Sequence, residues 1–253
     1  MHRFFVSPAQ IGNLITITGS DVNHITRVLR LKTGDEIIVA DGTGWEYLAE
    51  LTVTDPERVE AVIKEKFLSH QEPPLDVYLL QGLTKGEKMD LIIQKCTEIG
   101  IKKIIPVQME RTVLKLTEEK AEKRRERWKR ISFEAAKQCQ RSKVPEIMPV
   151  CEFSEAINQL PQATVIIMPW EEEKGYGLKQ FFKTVSSITA PVALIIGPEG
   201  GISPKEEAYA AQQGAVKVSL GPRILRTETA GLVALTIIMY ELGDLGGNTI
   251  GQS

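Results

Sequence analysis

The N-terminal part of the chain alternates short apolar runs with polar turns. Four runs of five to seven residues, rich in β-branched side chains, lie at positions 14–18, 36–40, 47–53 and 59–63. Gly- and Asp-containing turns separate these runs, and this spacing predicts the strands of a small β-barrel or sandwich. One short helix is predicted after the first run, with Ser20 or Asp21 as its N-cap. The side chains expected to face inward from this helix are Ile25, Val28 and Leu29.

Strand and helix patterns alternate after a polar, proline-containing segment at residues 70–74. Predicted strands, apolar over nearly their whole length, lie at 77–83, 103–107, 164–168, 192–196 and 216–220. A helix is predicted over 85–99, because apolar residues recur there at helical spacing, and Gly100 ends it. Such strands alternating with helices indicate a parallel sheet that is covered on both faces. Residues 70–74 have the composition of a linker, which divides the chain into predicted domains at 1–72 and 73–253.

The composition of the 253-residue chain excludes several classes of protein. With 42% hydrophobic and 25% charged residues the chain does not resemble a disordered protein, and it is long enough to bury a sizeable core. No apolar stretch approaches the roughly 20 residues that a membrane span needs, so no membrane association is predicted. Three cysteines without paired spacing and only three histidines predict free thiols and no metal site. These features favour a cytoplasmic protein.

Positive charge is concentrated in one segment, although the whole chain has a formal net charge of −2. Residues 111–145 contain 12 basic and 5 acidic side chains, and much of this segment is predicted to be a long helix capped by Thr117. The segment has two interpretations: a solvated helix face with pairs such as Glu119–Lys123, or a face that contacts nucleic-acid phosphates. The amides and bases of residues 138–143 favour the second interpretation.

The first glycine loop, residues 197–203, lies between an apolar strand and a helix. Ser203 and Glu206 form a predicted capping box, with Pro204 at the first helical position. Because glycines have no side chain, the loop leaves backbone groups uncovered at the carboxyl end of a parallel strand, where open α/β sheets bind ligands. A tight strand-to-helix turn is the alternative. The loop has neither the GxGxxG nor the Walker A spacing, which disfavours a nucleotide phosphate site.

The second glycine loop, residues 219–226, follows the last predicted strand. It carries two arginines and leads into a predicted apolar helix over 230–242. Ile224 and Leu225 interleave with the arginines, a mixture that suits a pocket with an apolar floor and a few polar groups. A salt-bridged helix start is the alternative, because Glu228 follows closely.

Several motifs taken together resemble one enzyme family. They are Arg3-Phe4-Phe5, His24 to Arg30, Lys85 to Asp90, Gln94 to Gly100, Glu134 to Arg141, Gly197-Pro198-Glu199-Gly200-Gly201 and Leu220 to Ala230. Over nearly its whole length the chain resembles the bacterial 16S rRNA (uracil-N3)-methyltransferases of the SPOUT class. The resemblance implies an α/β fold with an N-terminal PUA-like β-barrel at 1–72. It also implies a C-terminal knotted (trefoil) SPOUT methyltransferase domain with a parallel sheet at 73–253.

The same resemblance implies a reaction and its partners. S-adenosyl-L-methionine is the expected cofactor, and N3 of a specific uridine in 16S rRNA is the expected methyl acceptor. Because N3 is a Watson–Crick atom, the base must be unpaired or flipped out. The expected partners are 16S rRNA within the 30S subunit and a second copy of the chain in a homodimer. Two alternatives are a SPOUT ribose 2′-O-methyltransferase and a non-catalytic RNA-binding assembly factor.

Roles for individual residues follow from the matching positions. Arg226 is expected to stabilise negative charge that develops on the uracil, and Glu228 or Glu199 is expected to orient that arginine or act as base. The expected cofactor-binding residues are Ile196, Gly197, Pro198, Glu199, Gly200, Leu220, Gly221, Ile224, Leu225, Thr229 and Ala230. The expected RNA-binding residues are Arg3, Arg27, Arg30, Lys85, Lys88, Gln138 and Arg141.

Overall fold

The computed structural model describes residues 1–69, 71–185, 188 and 190–247. His70, in the predicted linker, and residues 248–253, at the end of the second predicted domain, lie outside the described residues. Contacts within the chain define two units, the first comprising Met1–Glu72 and Ala136–Val144 and the second the remainder. The predicted division of the chain into domains at residue 72 stays a prediction. The first unit also ends at Glu72, but it includes the later segment Ala136–Val144 as well.

A mixed five-stranded sheet forms the first unit. Its strands are β1 (His2–Phe5), β2 (Leu14–Ile17), β3 (Glu36–Ala40), β4 (Trp45–Thr54) and β5 (Val59–Leu68). The strand order is β1-β3-β4-β5-β2, in which only β1 and β3 are parallel. The four strands predicted from apolar runs are present, and β1 is additional. Alternating residues of these strands, such as Ile37 and Val39, are fully buried in one core.

The short helix of the first unit departs from its prediction. It consists of α1 (Ser20–Asn23) followed by a π-helical turn over His24–Val28. The N-cap is Gly19, without a side-chain hydrogen bond, so the prediction of Ser20 or Asp21 was wrong. Val28 was also wrongly predicted to face inward, since it is 69% exposed. The wider π-helical turn rotates positions three apart away from one face, which the 3.6-residue period did not anticipate.

Glu72 fixes the segment 136–144 within the first unit. Its carboxylate accepts hydrogen bonds from the Arg141 guanidinium at 2.8 Å and from the backbone N–H groups of Ser142 and Lys143, both at 2.9 Å. Arg141 is buried in this ion pair. The expectation that Arg141 grips RNA stays a prediction: its guanidinium is engaged by a carboxylate inside the first unit, and breaking that pair would leave a buried charge uncompensated.

A parallel sheet forms the centre of the second unit. Its strands are β6 (Val77–Gly82), β7 (Lys103–Gln108), β8 (Glu146–Ile147), β9 (Cys151–Glu152), β10 (Val165–Pro169), β11 (Val192–Ile196) and β12 (Val216–Val218). The order is β12-β10-β11-β6-β7-β8, with β9 also paired to β7, and every pairing is parallel. The five strands predicted from sequence are all present, and the two-residue strands β8 and β9 are additional.

Helices complete the second unit and cover the sheet on both faces. They are α2 (Lys88–Ile99), α3 (Glu118–Gln138), α4 (Phe153–Asn158), α5 (Leu178–Thr184), α6 (Pro204–Gln212) and α7 (Thr227–Leu242). Val192 and Leu194 of β11 share one apolar cluster with residues of α2 and α7. Ala193 and Ile195 share another with residues of α4 and α6. Because both sets are buried, β11 is apolar throughout, which confirms the prediction of a doubly covered parallel sheet.

Helix α3 carries much of the concentrated positive charge. Thr117 caps it as predicted, since its hydroxyl accepts a hydrogen bond from the Lys120 backbone. Ion pairs join Arg125 to Glu122 and Lys129 to Glu126, three residues apart rather than four. The exposed basic side chains of α3 that make no ion pair among the described residues are Lys120, Lys123 and Arg130. The segment is thus partly self-neutralised and partly open to solvent.

The described residues contain neither a membrane-spanning helix nor a metal-binding group. None of the helices in this part of the chain is both long and apolar enough to cross a membrane. The same part contains no group of three or more His, Cys, Asp or Glu side chains arranged to hold a metal ion.

Candidate active site

A cavity of about 1060 Å³ lies at the carboxyl ends of β10, β11 and β12. These strands are neighbours in the parallel sheet, and the chain leaves each of them through a loop that lines the cavity. The loop after β10 contains Trp170, the loop after β11 is the first glycine loop, and the loop after β12 is the second glycine loop. Open α/β sheets bind ligands at this edge, because loops there leave backbone groups free beyond the last strand hydrogen bond.

The first glycine loop is held against Arg111. A Cβ atom at Gly200 would lie 2.7 Å from the Arg111 carbonyl oxygen, so only glycine fits there without displacing backbone. The Arg111 guanidinium donates a hydrogen bond to the Ile202 carbonyl at 3.3 Å. The loop ends in the predicted capping box: Ser203 and Glu206 exchange side-chain to backbone hydrogen bonds. Both ends of the loop are therefore fixed.

Thr227 connects the two glycine loops. Its hydroxyl donates a hydrogen bond to the Gly197 carbonyl at 2.6 Å and accepts one from the Gln81 amide at 3.0 Å. Gln81 is fully buried at the end of β6, and Thr227 is also buried as the first residue of α7. One hydroxyl thus joins the first loop, the helix that follows the second loop, and the central strand.

Lys88 lies between two carboxylates on the cavity wall. Its ammonium donates a hydrogen bond to Glu199 at 3.0 Å and lies 3.6 Å from Glu228. Burial alone raises the pKa of Glu199, but hydrogen bonds from the Lys88 ammonium and from backbone N–H groups outweigh it, so this pKa is below its usual value. The hydrogen bond to Glu199 in turn raises the pKa of Lys88. Both groups are therefore charged at neutral pH.

The Arg226 guanidinium has no partner within the described part of the chain. The residue is the N-cap of α7, and its carbonyl accepts hydrogen bonds from the Thr229 and Ala230 backbone. The side chain is exposed and lines the cavity. Among the described residues the guanidinium makes neither an ion pair nor a hydrogen bond, so its charge is available to a ligand.

The structure brings most of the predicted site residues together. All three expected catalytic residues line the cavity, as do ten of the eleven expected cofactor-binding residues; the exception is Thr229, which is exposed outside the lining. Sequence reasoning missed several residues of the site or its support. They are Gln81, Arg111, Trp170, Glu171, Glu172, Glu173 and Thr227. Only the position of Thr227 next to Arg226 offered a local signal for any of them.

The expected RNA-binding residues fall into different environments. In the first unit Arg27, Arg30 and Gln138 are exposed, and in the second unit Lys85 is exposed. Lys88 lines the cavity instead, in the carboxylate pairs described above.

Arg3 is engaged by other residues of the first unit. Its side chain is only 12% exposed and pairs with the Glu46 carboxylate at 2.9 Å. It also donates a hydrogen bond to the Gln71 side chain at 2.9 Å. A contact with phosphate would compete with this ion pair, and the expectation that Arg3 binds RNA stays a prediction.

Comparison with known proteins identifies the class to which this fold and site belong. A family model described as an RNA methyltransferase domain matches residues 71–239, and one described as an RNA methyltransferase PUA domain matches residues 17–64. The chain is therefore a member of a family of RNA methyltransferases. The predicted fold class, a PUA-like N-terminal part followed by an α/β methyltransferase with a parallel sheet, is confirmed. The trefoil knot that the resemblance implies stays a prediction.

Individual relatives identify the particular family of RNA methyltransferases. Ribosomal RNA small subunit methyltransferase E of Bacillus subtilis is 39% identical, over 98% of this chain and 100% of its own length. The protein of that name from Aquifex aeolicus is 32% identical, over 94% of this chain and 99% of its own length. A crystal structure of that methyltransferase from Neisseria gonorrhoeae bound to S-adenosyl methionine matches this chain with a TM-score of 0.83 and 32% identity. The match covers 97% of this chain and 99% of the Neisseria gonorrhoeae chain. The chain belongs to the ribosomal RNA small subunit methyltransferase E family, which confirms the resemblance seen in the motifs.

The Thr227 hydroxyl predicts a measurable stability effect. Thr227→Val keeps the shape of the side chain but leaves the part-buried Gly197 carbonyl without this donor, and it leaves the buried Gln81 amide with only its hydrogen bond to the Gly82 carbonyl. We expect the free energy of unfolding to fall by about 1–3 kcal/mol, measured by urea denaturation followed by circular dichroism. Thr229→Val, two residues later in α7 and exposed, is the matched control and is expected to change stability by less than about 0.5 kcal/mol. Equal stabilities of the two variants would contradict this role of Thr227.

Proposed function

We propose that this protein transfers a methyl group from S-adenosyl-L-methionine to N3 of a specific uridine in 16S rRNA. The observation that carries the proposal is the cavity at the carboxyl ends of β10–β12, bounded by the two motif-bearing loops in a chain of this family. The names of the relatives support the choice of small-subunit rRNA. The bound ligand of the Neisseria gonorrhoeae structure supports the choice of cofactor.

The residues of the cavity fit S-adenosylmethionine. A volume of about 1060 Å³ is at the upper end of ordinary small-molecule sites. Ile196, Ile202 and Leu220 provide apolar walls for the adenine, and the glycine loops provide uncovered backbone donors and acceptors. The ligand carries positive charge on its sulfonium and its amine, which the acidic part of the lining complements. That part consists of Glu171, Glu172, Glu173, Glu199 and Glu228.

Arg226 is proposed to act on the substrate. When bound, S-adenosylmethionine supplies an electrophilic methyl group, and the uracil loses its N3 proton as the new bond to nitrogen forms. The uracil oxygens therefore gain negative charge in the transition state. A permanently charged guanidinium without a protein partner stabilises that charge at no cost of breaking an existing ion pair.

Of the two carboxylates proposed for proton handling, Glu228 is the better acceptor. Glu199 is already hydrogen-bonded to Lys88, and its lowered pKa makes it a weaker base. Glu228 lines the cavity, and its contact with the Lys88 ammonium is a longer ion pair of 3.6 Å. A hydrogen bond from the N3–H group to the Glu228 carboxylate would orient the base and receive its proton.

The RNA is proposed to be contacted by exposed basic residues in each unit. In the first unit these are Arg27 and Arg30, with the amide of Gln138. In the second unit they are Lys85 and the unpaired cations of α3. Phosphate contacts of this kind fix the register of the RNA, and the cavity selects the base. We further propose that the substrate is the 30S subunit rather than naked rRNA, and that the protein acts in the cytoplasm.

Nucleoside mapping tests the proposed function. Digested 16S rRNA from cells that lack the gene is expected to have lost one N3-methyluridine, measured by mass spectrometry, and the wild-type gene is expected to restore it. Purified 30S subunits and protein-free 16S rRNA from the same cells, incubated with the protein, identify the substrate. A methyl group lost from a ribose would instead indicate a 2′-O-methyltransferase. An unchanged nucleoside profile would leave a non-catalytic RNA-binding factor as the better interpretation.

Arg226→Ala is expected to separate binding from catalysis. Because the guanidinium has no protein partner among the described residues and is proposed to act on the substrate, we expect S-adenosylmethionine affinity within about threefold of wild type. Methyl transfer is expected to fall by roughly 10²–10³-fold, as when one donor to a developing anion is removed. Affinity is measured by calorimetry and transfer with a radiolabelled methyl group. Methylation at the wild-type rate would eliminate Arg226 from the catalytic residues.

A homodimer is also proposed. Tyr240, near the end of α7, and Leu245, just after it, are large apolar side chains with 62% and 46% exposure. Burying such residues against a second copy is favourable, and this apolar surface supports the proposal. Sedimentation velocity is expected to give about twice the monomer mass of 28.1 kDa. Tyr240→Glu is expected to shift the mass toward the monomer, and a wild-type protein that sediments as a monomer would refute the dimer.

A further inference from the structure

Lys88 reaches both of the chain segments that carry the proposed cofactor site. It lies in the first turn of α2, and its ammonium contacts Glu199 of the first glycine loop at 3.0 Å. The same ammonium lies 3.6 Å from Glu228, in the first turn of α7 after the second glycine loop. We infer that Lys88 is a positioning residue, which holds the two loops at the spacing that S-adenosylmethionine binding requires, and that it is not an RNA contact.

The first glycine loop depends on the first turn of α2 through Glu199. One oxygen of that carboxylate accepts both the Lys88 ammonium and the Lys85 backbone N–H, the latter at 3.3 Å. A charge-assisted hydrogen bond is about twice as strong as a neutral one, so the ammonium is the stronger of the two contacts. Loss of the ammonium would leave only the weaker of these two contacts, which is made to the Lys85 backbone in the segment before α2.

Glu228 depends on Lys88 more strongly than Glu199 does. Its side chain is only 15% exposed, and its Oε2 is inaccessible to solvent and has no hydrogen-bond partner in the part of the chain that the structure describes. Among the described residues, Lys88 is the only cation within ion-pair distance of this carboxylate. A carboxylate withdrawn from water is costly unless a charge compensates it, so Lys88 stabilises the position of Glu228 on the cavity wall.

This inference rests on the proposed function, because the ligand whose site Lys88 would organise is S-adenosylmethionine. It changes the meaning of Lys88, which the sequence suggested as an RNA-binding residue. A lysine that contacts phosphate makes binding of RNA weaker at high salt, whereas a lysine paired with two carboxylates belongs to a group with negative net charge, which does not attract phosphate. The two roles therefore predict different effects of the same substitution.

Lys88→Met tests the inference by binding and by kinetics. We expect S-adenosylmethionine and S-adenosylhomocysteine to bind roughly tenfold more weakly by calorimetry, and the rise in melting temperature that either ligand causes to shrink. The KM for 30S subunits and its salt dependence are expected to stay within about twofold of wild type. Lys88→Arg keeps the charge and is expected to recover most of the affinity. Lys95→Met, two turns later in α2, removes an ion pair with Glu98 and is the matched control, with unchanged ligand binding.

A double-variant cycle with Glu199→Gln shows whether the two residues act as one unit. If Lys88 acts through Glu199, Lys88→Met is expected to weaken ligand binding much less in the Glu199→Gln background than in wild type. Glu199→Gln is isosteric, so it tests the same contact even if Lys88→Met does not fold. Fully additive effects of the two substitutions would overturn the inference.

Other outcomes also distinguish the inference from the proposed function. Unchanged ligand affinity in Lys88→Met, together with a raised KM for 30S subunits and a salt slope reduced by about one, would make Lys88 an RNA contact and overturn the inference. Wild-type protein that binds no S-adenosylmethionine would overturn the proposed function itself. The wild-type titration is therefore read first, and the Lys88 variants are compared with it.

Discussion

The geometry of the cavity depends on the buried hydroxyl of Thr227. A threonine hydroxyl both donates and accepts, and here it uses both capacities, toward the Gly197 carbonyl and the Gln81 amide. Loops at a sheet edge have few apolar contacts of their own, so such polar contacts determine where they lie. Because Gln81 belongs to β6, the hydroxyl connects the first glycine loop and the start of α7 to the fully buried strand at the centre of the second unit. A ligand then meets a site that is already organised, which lowers the entropic cost of binding.

Much of the fold was predictable because burial imposes simple patterns on the sequence. Parallel strands covered on both faces are apolar throughout, so their runs were recognisable, as were the capping box at Ser203 and the helix stop at Gly100. The order of the strands was not predictable, because β6 lies beside β11 through pairings such as Val77 with Val192, far apart in the chain. The exposure of Val28 was missed for a different reason, since a π-helical turn changes the period on which the prediction relied.

The position of the site could be predicted from the sequence, but which basic side chains are paired with a carboxylate could not. Glycine-rich segments after parallel strands lie at one edge of a sheet, so the cavity-lining loops could be identified from sequence. The basic residues could not be sorted in the same way. Arg3, Arg141 and Lys88 each pair with a glutamate that is 43, 69 and 111 residues away, respectively. Contacts at such separations leave no local pattern, and in the sequence these cations look no different from ones that face solvent.

Pairing divides the cations of the chain into groups with different capacities, and this division explains more than the net charge does. A cation that already contacts a carboxylate gains little from a second anion, because much of its field is already neutralised and breaking the pair costs energy. In the roles proposed here, Lys88 organises a site, whereas Arg226, which has no side-chain partner in the described part of the chain, responds to charge that develops on a substrate. The same reasoning applies to α3, where Lys123 and Arg130 remain unpaired beside neighbours that are neutralised. A chain with a formal charge of −2 can then bind RNA, because the number of unpaired, exposed cations on one face determines the attraction to phosphate.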